Sequence, residues 1–205
     1  MQFNINFSYK KKEPLFQNLT LEIPDGEISV LCGHNGAGKT TLLKIISGVL
    51  PGSQTIDNTW FVPAQGGLIR HFSLQDHVKI LGGTPNELYD EAFELFGAET
   101  FYKKRIAKLS TGQIVMAGLL VAFASQREFL LLDEPYSSLD PTNAENLKTL
   151  LQKRKGTTIL TSHDLFLTCE TSKNIQFLKH GKIVWKNEQN EITVDELKNA
   201  YKEFA

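Results

Sequence analysis

The amino-acid sequence predicts an α/β fold in which a mostly parallel core sheet carries an antiparallel β layer and a small helical subdomain. Short apolar runs alternate with stretches of helical periodicity, the pattern of strand–helix–strand units in a parallel sheet. Near the N-terminus, apolar residues recur at every second position instead, as in half-buried strands. The middle of the chain, residues 66–108, has helical character. We therefore expect one domain over residues 1–205, with a core formed by 1–65 and 109–205 and the helical subdomain between them.

Two kinds of strand are predicted, half-buried and fully buried. The fully buried ones are the short apolar runs over residues 27–32, 129–132 and 157–160, as expected inside a parallel sheet. The half-buried ones form an N-terminal pair, and Asp25-Gly26 is the turn before the next strand. The apolar positions of that pair are Phe3, Ile5 and Phe7, followed by Leu19, Leu21 and Ile23.

Helix start and stop signals divide the rest of the chain. A helix is expected after residues 33–38 and should stop at Pro51-Gly52. Thr84 is predicted to cap a helix that ends near Gly97. Three further helices are expected: one from about Thr111, one over residues 141–155, and one after a capping box at residues 193–196. The apolar positions of the first helix are Leu42, Leu43, Ile45, Ile46, Val49 and Leu50.

Composition and charge bound the class of protein. A formal net charge of −1 gives no basic face of the kind that nucleic acid requires, so we expect no nucleic-acid partner. Two cysteines form no disulfide framework and suit a reducing compartment. No apolar run approaches the roughly 20 residues that span a bilayer, and the N-terminus lacks the apolar core of a cleavable signal. These features predict a soluble, cytoplasmic chain.

The first strong chemical signal is a glycine-rich loop between a predicted strand and a predicted helix. Gly33-His34-Asn35-Gly36-Ala37-Gly38-Lys39-Thr40 fits G-x-x-x-x-G-K-[ST] without a gap, and Thr41 continues into the helix. Such a loop directs backbone N–H groups, together with the positive end of the helix, at phosphate oxygens. Lys39 should reach the β- and γ-phosphates, and Thr40 should bind Mg²⁺. The motif predicts a P-loop NTPase; the alternative is a chance glycine-rich turn with a surface lysine.

A pair of adjacent carboxylates supplies the second signal. Asp133 and Glu134 directly follow the apolar run at residues 129–132, so they should lie at the C-terminal edge of the sheet, where ligands bind in open α/β folds. Asp133 is expected to hold Mg²⁺. Glu134 is expected to accept a proton from an attacking water, or to orient that water. Without the glycine-rich loop, an acidic turn after a strand would be the simpler interpretation.

Taken together, these motifs resemble those of the ATP-binding-cassette (ABC) ATPases, in that family's order. Leu109-Ser110-Thr111-Gly112-Gln113 resembles the signature LSGGQ, with threonine in place of the first glycine. The resemblance implies that Ser110 and Gly112 contact the γ-phosphate of an ATP held by a partner subunit. The alternative is a helix cap without a ligand, and Thr111 places a side chain where the family usually has none.

Four further residues are assigned by their position in the family pattern. Gln65 resembles the glutamine of the Q-loop, which contacts Mg²⁺ or water, and His163 resembles the switch histidine that meets the γ-phosphate and steadies Glu134. Asp140 resembles the D-loop aspartate, although it would equally cap the helix that Pro141 opens. Tyr9 resembles the aromatic residue that stacks on adenine. Phe7 and Phe16 are the alternatives to Tyr9.

The resemblance implies ATP hydrolysis coupled to transport. It implies a head-to-tail homodimer or heterodimer with two ATP molecules between the subunits, and a separate transmembrane permease that holds the chain at the cytoplasmic face of the membrane. The chain's small size looks most like compact exporter-type subunits. Exposure of the apolar residues around 66–82 would favour such a membrane partner; they are Leu68, Ile69, Phe72 and Leu74.

Two other classes of function stay open. One is a soluble ABC-type ATPase that moves no solute, such as an iron–sulfur assembly ATPase. The other is a regulator that closes on ATP and barely hydrolyses it, although Glu134 argues against this. The family pattern is also shortened between Pro51 and Trp60, which predicts that the antiparallel layer lacks part of a hairpin.

Overall fold

The computed structural model describes residues 1–10, 13–52, 54–189 and 191–204. Within them the strands form two sheets, a mixed sheet in the order β4-β5-β6-β3-β7-β8 and an antiparallel pair, β1-β2. Neighbours from β4 to β7 run parallel, and only β8 runs antiparallel to its neighbour. The strands are β1 (Gln2–Lys10), β2 (Glu13–Glu22), β3 (Ile28–Cys32), β4 (Thr59–Val62), β5 (Phe129–Leu132), β6 (Thr157–Ser162), β7 (Asn174–Lys179) and β8 (Lys182–Lys186).

Several helices begin at a residue whose side chain satisfies free backbone N–H groups. Ser110 and Asp140 cap the fourth and fifth helices, as the sequence predicts, and Thr193 and Glu196 form the expected capping box before the last one. The helices are α1 (Lys39–Ile46), α2 (Leu74–His77), which continues as a π-helical turn (Val78–Gly82), α3 (Glu87–Leu95), α4 (Thr111–Ser125), α5 (Pro141–Lys153), α6 (Leu165–Thr171) and α7 (Val194–Phe204).

The mixed sheet is covered on both faces, so its central strands β3, β5 and β6 bury side chains on both sides. On one face, β1, β2 and α1 bury Leu31, Leu131 and Ile159. On the other face, the remaining helices bury alternate residues of the same strands, among them Leu132 and Leu160. Burial on both sides is typical of parallel sheets and produces continuous apolar runs in the sequence.

Two helix boundaries differ from the sequence prediction. α1 ends at Ile46, because Gly48 adopts a left-handed conformation (φ 76°) that terminates a helix, so Val49 lies outside it and is 60% exposed. α3 is capped by Asn86 and not by Thr84: the Asn86 side chain accepts the N–H groups of Leu88 and Tyr89.

Several elements had no clear sequence signal. The strands β4 and β7 and the short helices α2 and α6 were not predicted, and β6 extends two residues beyond its predicted end at Leu160. Residues 54–58 form no strand and Ser53 lies outside the described residues, so the part of the antiparallel layer that the structure describes is the pair β1-β2.

Residues 66–108 contain α2, α3 and two 3₁₀ turns, and they pack on α4. Their buried apolar side chains, including Leu74, Tyr89, Phe101 and Ile106, belong to the same hydrophobic cluster as α4 and the sheet face beneath it. None of the helices in the described ranges is long and apolar enough to cross a membrane.

Candidate nucleotide site

Three neighbouring strands bring the predicted site residues to one edge of the sheet. In the order β5-β6-β3, Leu132 pairs with Leu160 and Cys32 pairs with Ser162. Because these strands are parallel, the residues that follow their carboxyl ends lie side by side. Gly33, Asp133 and His163 occupy those positions.

The glycine-rich loop leads into the open N-terminus of α1. Gly38 is the N-cap residue with φ 106°, and a Cβ atom there would lie 2.9 Å from Cζ of the buried Phe16, so only glycine fits. No side chain caps α1, and its first turn carries no acidic residue. The first N–H groups of the helix are therefore available to an anion.

Lys39 is buried at the centre of the loop, with 6% of its surface exposed. Its Nζ donates hydrogen bonds to the carbonyl oxygens of Gly33 (2.7 Å) and His34 (3.3 Å) and lies 3.5 Å from Glu134 Oε1. A buried ammonium group needs such partners. Phosphate oxygens arriving in the loop can replace the two carbonyls, since they are stronger acceptors at the same distance.

Asp133 is buried and receives hydrogen bonds from two threonines. Thr40 Oγ1 donates to both carboxylate oxygens (2.9 and 2.8 Å), and Thr161 Oγ1 donates to Oδ1 (2.9 Å). A hydroxyl and a carboxylate oxygen in contact suit a hard cation such as Mg²⁺, which keeps several waters and takes few protein ligands. Among the described residues, no group of three His, Cys, Asp or Glu side chains could hold a metal.

Glu134 is held in an unusual backbone conformation between Lys39 and His163. Its φ is 47°, a left-handed value that non-glycine residues rarely adopt and that often marks functional sites. Its Oε2 lies 2.7 Å from Nδ1 of His163, which donates because an ionised carboxylate can only accept. Oε1 faces Lys39, so the carboxylate is aimed at the space above the loop.

A cleft of about 340 Å³ joins the loop to Glu134 and Tyr9, and we call it the nucleotide cleft. The Tyr9 ring is 64% exposed and its hydroxyl lies 2.9 Å from Thr41 Oγ1, whereas Phe16 is buried and unavailable for stacking. Phe7 packs edge-on against Tyr9, with 4.8 Å between ring centroids. The cleft is lined by Tyr9, Leu15, His34, Asn35, Gly36, Gly38, Lys39, Thr40, Thr41 and Glu134.

Gln65 lies in a neighbouring cavity of about 620 Å³ that also reaches Thr40 and Asp133. Gln65 therefore lies in the same cavity as the two residues predicted to bind the cation. Thr111 lines the same cavity, so its side chain enters the space beside Gln65.

The predicted residues that do not line the nucleotide cleft of this chain include Ser110, Gly112 and Asp140. Ser110 and Asp140 are exposed helix caps, and hydrogen bonds from the backbone and side chain of Asn143 lower the pKa of the Asp140 carboxyl. Gly112 packs against the D-loop: a Cβ atom there would lie 2.8 Å from the Ser138 carbonyl oxygen.

Sequence reasoning missed three residues at the site. The Thr161 hydroxyl bridges Asp133 and Glu134. Ser137 donates hydrogen bonds from its N–H and its hydroxyl to the Glu134 carbonyl. The Tyr201 hydroxyl lies 3.1 Å from His34 Nδ1. Threonine is ordinary in a strand, so nothing distinguished Thr161. Tyr201 lies far along the chain and meets the loop only because α7 packs beside β7.

Comparison with known proteins decides the family. The family model described as ABC transporter matches residues 16–137. The chain belongs to the ABC transporter family of ATPases. It is 30% identical over 87% of its length to the osmoprotectant import ATP-binding protein OsmV of Salmonella typhimurium, of which it spans 55%. It is 32% identical over 82% of its length to the tungstate uptake system ATP-binding protein TupC of Peptoclostridium acidaminophilum, of which it spans 87%.

Solved structures show the same fold. An ATP-binding subunit of an ABC transporter superposes with a TM-score of 0.82 at 19% identity, covering 98% of both chains. A dimeric ATP-binding cassette in a post-hydrolysis state, bound to ADP and Pi, superposes with a TM-score of 0.75 at 24% identity, covering 90% of this chain and 96% of that one. The predicted P-loop fold, ATP binding and ATPase class of this cassette are confirmed.

One expectation from the sequence finds no support. The small size of the chain favoured an exporter-type subunit, whereas OsmV and TupC are named for import and uptake.

Proposed function

We propose that this cassette couples ATP hydrolysis to solute import through a separate membrane subunit. The observation that carries the proposal is the connected set of Lys39, Thr40, Asp133, Glu134 and His163 around one cleft. These groups provide a phosphate cradle, a pair of cation ligands and a base. Phosphoryl transfer depends mainly on such positioning and electrostatic stabilisation.

The loop and Tyr9 bind the nucleotide. Lys39 exchanges the carbonyls of Gly33 and His34 for oxygens of the β- and γ-phosphates. The adenine ring stacks on Tyr9, which the Thr41 hydroxyl holds beside the loop. Further contacts come from the loop and helix residues Asn35, Gly36, Ala37, Gly38 and Thr40.

Thr40 and Asp133 would hold Mg²⁺, and Gln65 would contact the ion or a water from the adjoining cavity. A cation held there would supply positive charge to stabilise the negative charge that develops on the phosphate oxygens. Asp133 supplies the charge and Thr40 the hydroxyl oxygen, and the hydrogen bond between them keeps both in place before nucleotide arrives.

Glu134 acts as the base. It accepts a proton as the water oxygen bonds to the γ-phosphorus and the bond to ADP breaks, an effect typically worth about 10²–10⁴ in rate. His163 orients the Glu134 carboxylate through its Nδ1, and the family pattern assigns it the contact with the γ-phosphate. Closure over the site then positions the water.

A second subunit completes the site. Ser110, Gly112 and Asp140 lie outside the nucleotide cleft of their own chain, where they are free to contact ATP held by a partner. The similar cassette with ADP and Pi is a dimer. The partner is a second copy or a sister ATPase subunit.

The membrane subunit docks on residues 66–108, which we propose behave as a helical subdomain. Four large apolar side chains are exposed in the first part of this range, residues 66–82: Ile69 (52%), Phe72 (39%), Ile80 (64%) and Leu81 (46%). Of the four residues whose exposure would favour a membrane partner, Ile69 and Phe72 are exposed, Leu68 is partly buried, and Leu74 is fully buried in the contact with α4. An exposed apolar group of this kind marks an interaction site. Docking there places the cassette at the cytoplasmic face of the membrane, and the import relatives favour inward transport.

The nucleotide part of the proposal is tested with Glu134→Gln. We expect wild type to hydrolyse ATP, and the variant to bind ATP, lose turnover and form a dimer only with ATP, as measured by size-exclusion chromatography with light scattering. The matched control is Glu128→Gln, an exposed glutamate at the opposite end of β5, which should behave as wild type. Full ATP turnover in Glu134→Gln would show that Glu134 is not the base. ATP binding without any dimer would exclude a homodimer of this chain.

The membrane part is tested by site-specific photocrosslinking in cells. A benzophenone amino acid replaces Phe72, and, as control, the exposed Phe166 on α6. We expect position 72 to crosslink to an integral membrane protein and position 166 not to do so. Crosslinks from position 72 to soluble proteins alone would contradict a permease partner.

A further inference from the structure

Thr161 is a fully buried threonine whose hydroxyl bridges the two acidic residues of the site. Its Oγ1 lies 2.9 Å from Asp133 Oδ1 and 2.9 Å from the Glu134 backbone nitrogen. The carboxylate can only accept, so the single hydroxyl hydrogen goes to Asp133. The lone pairs then face Glu134, whose N–H donates to them. The hydroxyl therefore has a fixed orientation, with its hydrogen on Asp133 and its lone pairs towards Glu134.

The first consequence concerns the orientation of Asp133. Thr40 donates to both carboxylate oxygens at nearly equal distances, 2.9 and 2.8 Å, and so does not distinguish them. Thr161 binds Oδ1 alone. It therefore selects which oxygen stays inside the protein and leaves Oδ2 towards Thr40 and the proposed cation.

The second consequence concerns the backbone of Glu134. A residue with a side chain holds a φ of 47° only where its surroundings impose that conformation. Thr161 accepts the Glu134 N–H, and Ser137 donates to the Glu134 carbonyl from its hydroxyl (2.9 Å) and its N–H (3.2 Å). The peptide is thus held on both sides, and this directs the carboxylate to His163 and Lys39.

We propose that Thr161 is a positioning residue for ATP hydrolysis, which sets the cation-binding Asp133 and the base Glu134 relative to each other through one hydroxyl group. The inference rests on the proposed function of the site. Thr161 is fully buried and acts only through its two neighbours.

The competing explanation is that Thr161 is a buried strand residue whose hydroxyl has merely found partners. Thr157 provides a matched control, because it lies on the same face of β6, is 2% exposed, and accepts one hydrogen bond from the Gly26 N–H (2.9 Å). A purely structural role predicts similar effects from removing either hydroxyl.

The test compares Thr161→Val, Thr161→Ser and Thr157→Val in the full chain. Residues that orient metal ligands typically change activity or metal affinity by about 10–100-fold, so we expect Thr161→Val to lower kcat by that factor with little change in the KM for ATP. The Mg²⁺ concentration that half-saturates turnover should rise. The Mg²⁺ concentration needed to strengthen binding of the fluorescent analogue TNP-ATP should also rise. This binding measurement requires no turnover.

Thr161→Ser keeps the hydroxyl and should recover most of the activity and Mg²⁺ affinity, whereas Thr157→Val should match wild type in both. Thermal unfolding of each variant shows whether the chain is folded. If Thr161→Val does not fold, the result for Thr161→Ser decides. A Mg²⁺ dependence like that of wild type supports the inference. A loss of Mg²⁺ affinity in Thr161→Ser as large as the loss caused by Asp133→Ala overturns it.

Two other outcomes separate this inference from the proposed function. A wild-type chain that hydrolyses ATP together with an equally active Thr161→Val overturns the role of Thr161 alone. A wild-type chain without ATP turnover, alone or with its partners, overturns both.

Discussion

Gly118 lies inside α4, where alanine would ordinarily stabilise a helix but is here expected to destabilise the protein. Replacing glycine by alanine in a helix interior gains about 1 kcal/mol. At this position the new Cβ atom would lie 2.7 Å from the Gly66 carbonyl oxygen and 3.0 Å from its Cα. Both neighbours are backbone atoms, so no flexible side chain can move aside.

The magnitude follows from the contact. Non-bonded atoms at optimal contact are about 3.5 Å apart, so α4 and the loop at Gly66 must separate by roughly 0.8 Å. Overpacking of this kind costs about 1–3 kcal/mol, which outweighs the helix-propensity gain by about 1 kcal/mol. For a chain of this size that corresponds to a loss of about 2–4 °C in Tm.

Urea unfolding of wild type and Gly118→Ala measures the difference in the free energy of unfolding. As a reference, Asn199 is replaced by alanine and by glycine, because it is an exposed residue of α7. The difference in the free energy of unfolding between these two variants gives the helix-propensity gain in this same protein. At position 199 the free energy of unfolding should be higher with alanine than with glycine. If Gly118→Ala raised the free energy of unfolding by that same amount, the close packing of α4 on the loop that follows Gln65 would be refuted.

Two further predictions concern nucleotide affinity and pH. Tyr9→Ala should weaken ATP binding by roughly 5–150-fold, since stacking on a base is worth about 1–3 kcal/mol. Tyr9→Phe loses only the contact with Thr41 and should bind ATP within a few-fold of wild type. Isothermal titration calorimetry checks both, and a larger loss in Phe7→Ala than in Tyr9→Ala would transfer the role to Phe7. Burial raises the pKa of the Cys32 thiol from 9.0 to about 12, so its neutral form stabilises the fold fully below pH 9 and progressively less as the pH rises towards 12. The difference in the free energy of unfolding between wild type and Cys32→Ala should therefore shrink between pH 8 and 10, and a constant difference would contradict this.

Much of the site was predictable because its chemistry is local in sequence. The loop around Lys39 and the pair Asp133 and Glu134 each sit directly after an apolar strand, and parallel strands end at one edge. His163 follows the third of these strands. Their contacts confirm that the structure brings these groups together, whereas their roles in catalysis stay predictions until the variants are measured.

The less predictable parts depend on contacts between distant segments. The cap of α3 is Asn86 because its amide also reaches the Phe123 carbonyl on α4, a contact that no local pattern reveals. Leu74 and Ile69 look alike in the sequence, yet one is fully buried and the other is half exposed, since only packing on α4 decides which side of the segment faces inward.

The sequence by itself determined the family, the phosphate loop, the acidic pair and the parallel sheet, because each is encoded in consecutive residues whose backbone conformation and burial follow from their own side chains. Only the tertiary structure decided the bridge that Thr161 makes between Asp133 and Glu134, the contact of Tyr201 with His34, and the glycine requirement at Gly118. Those features arise where elements separated by many residues approach within one atomic contact. Distances of that kind are set by the packing of the whole chain and by no single segment of it.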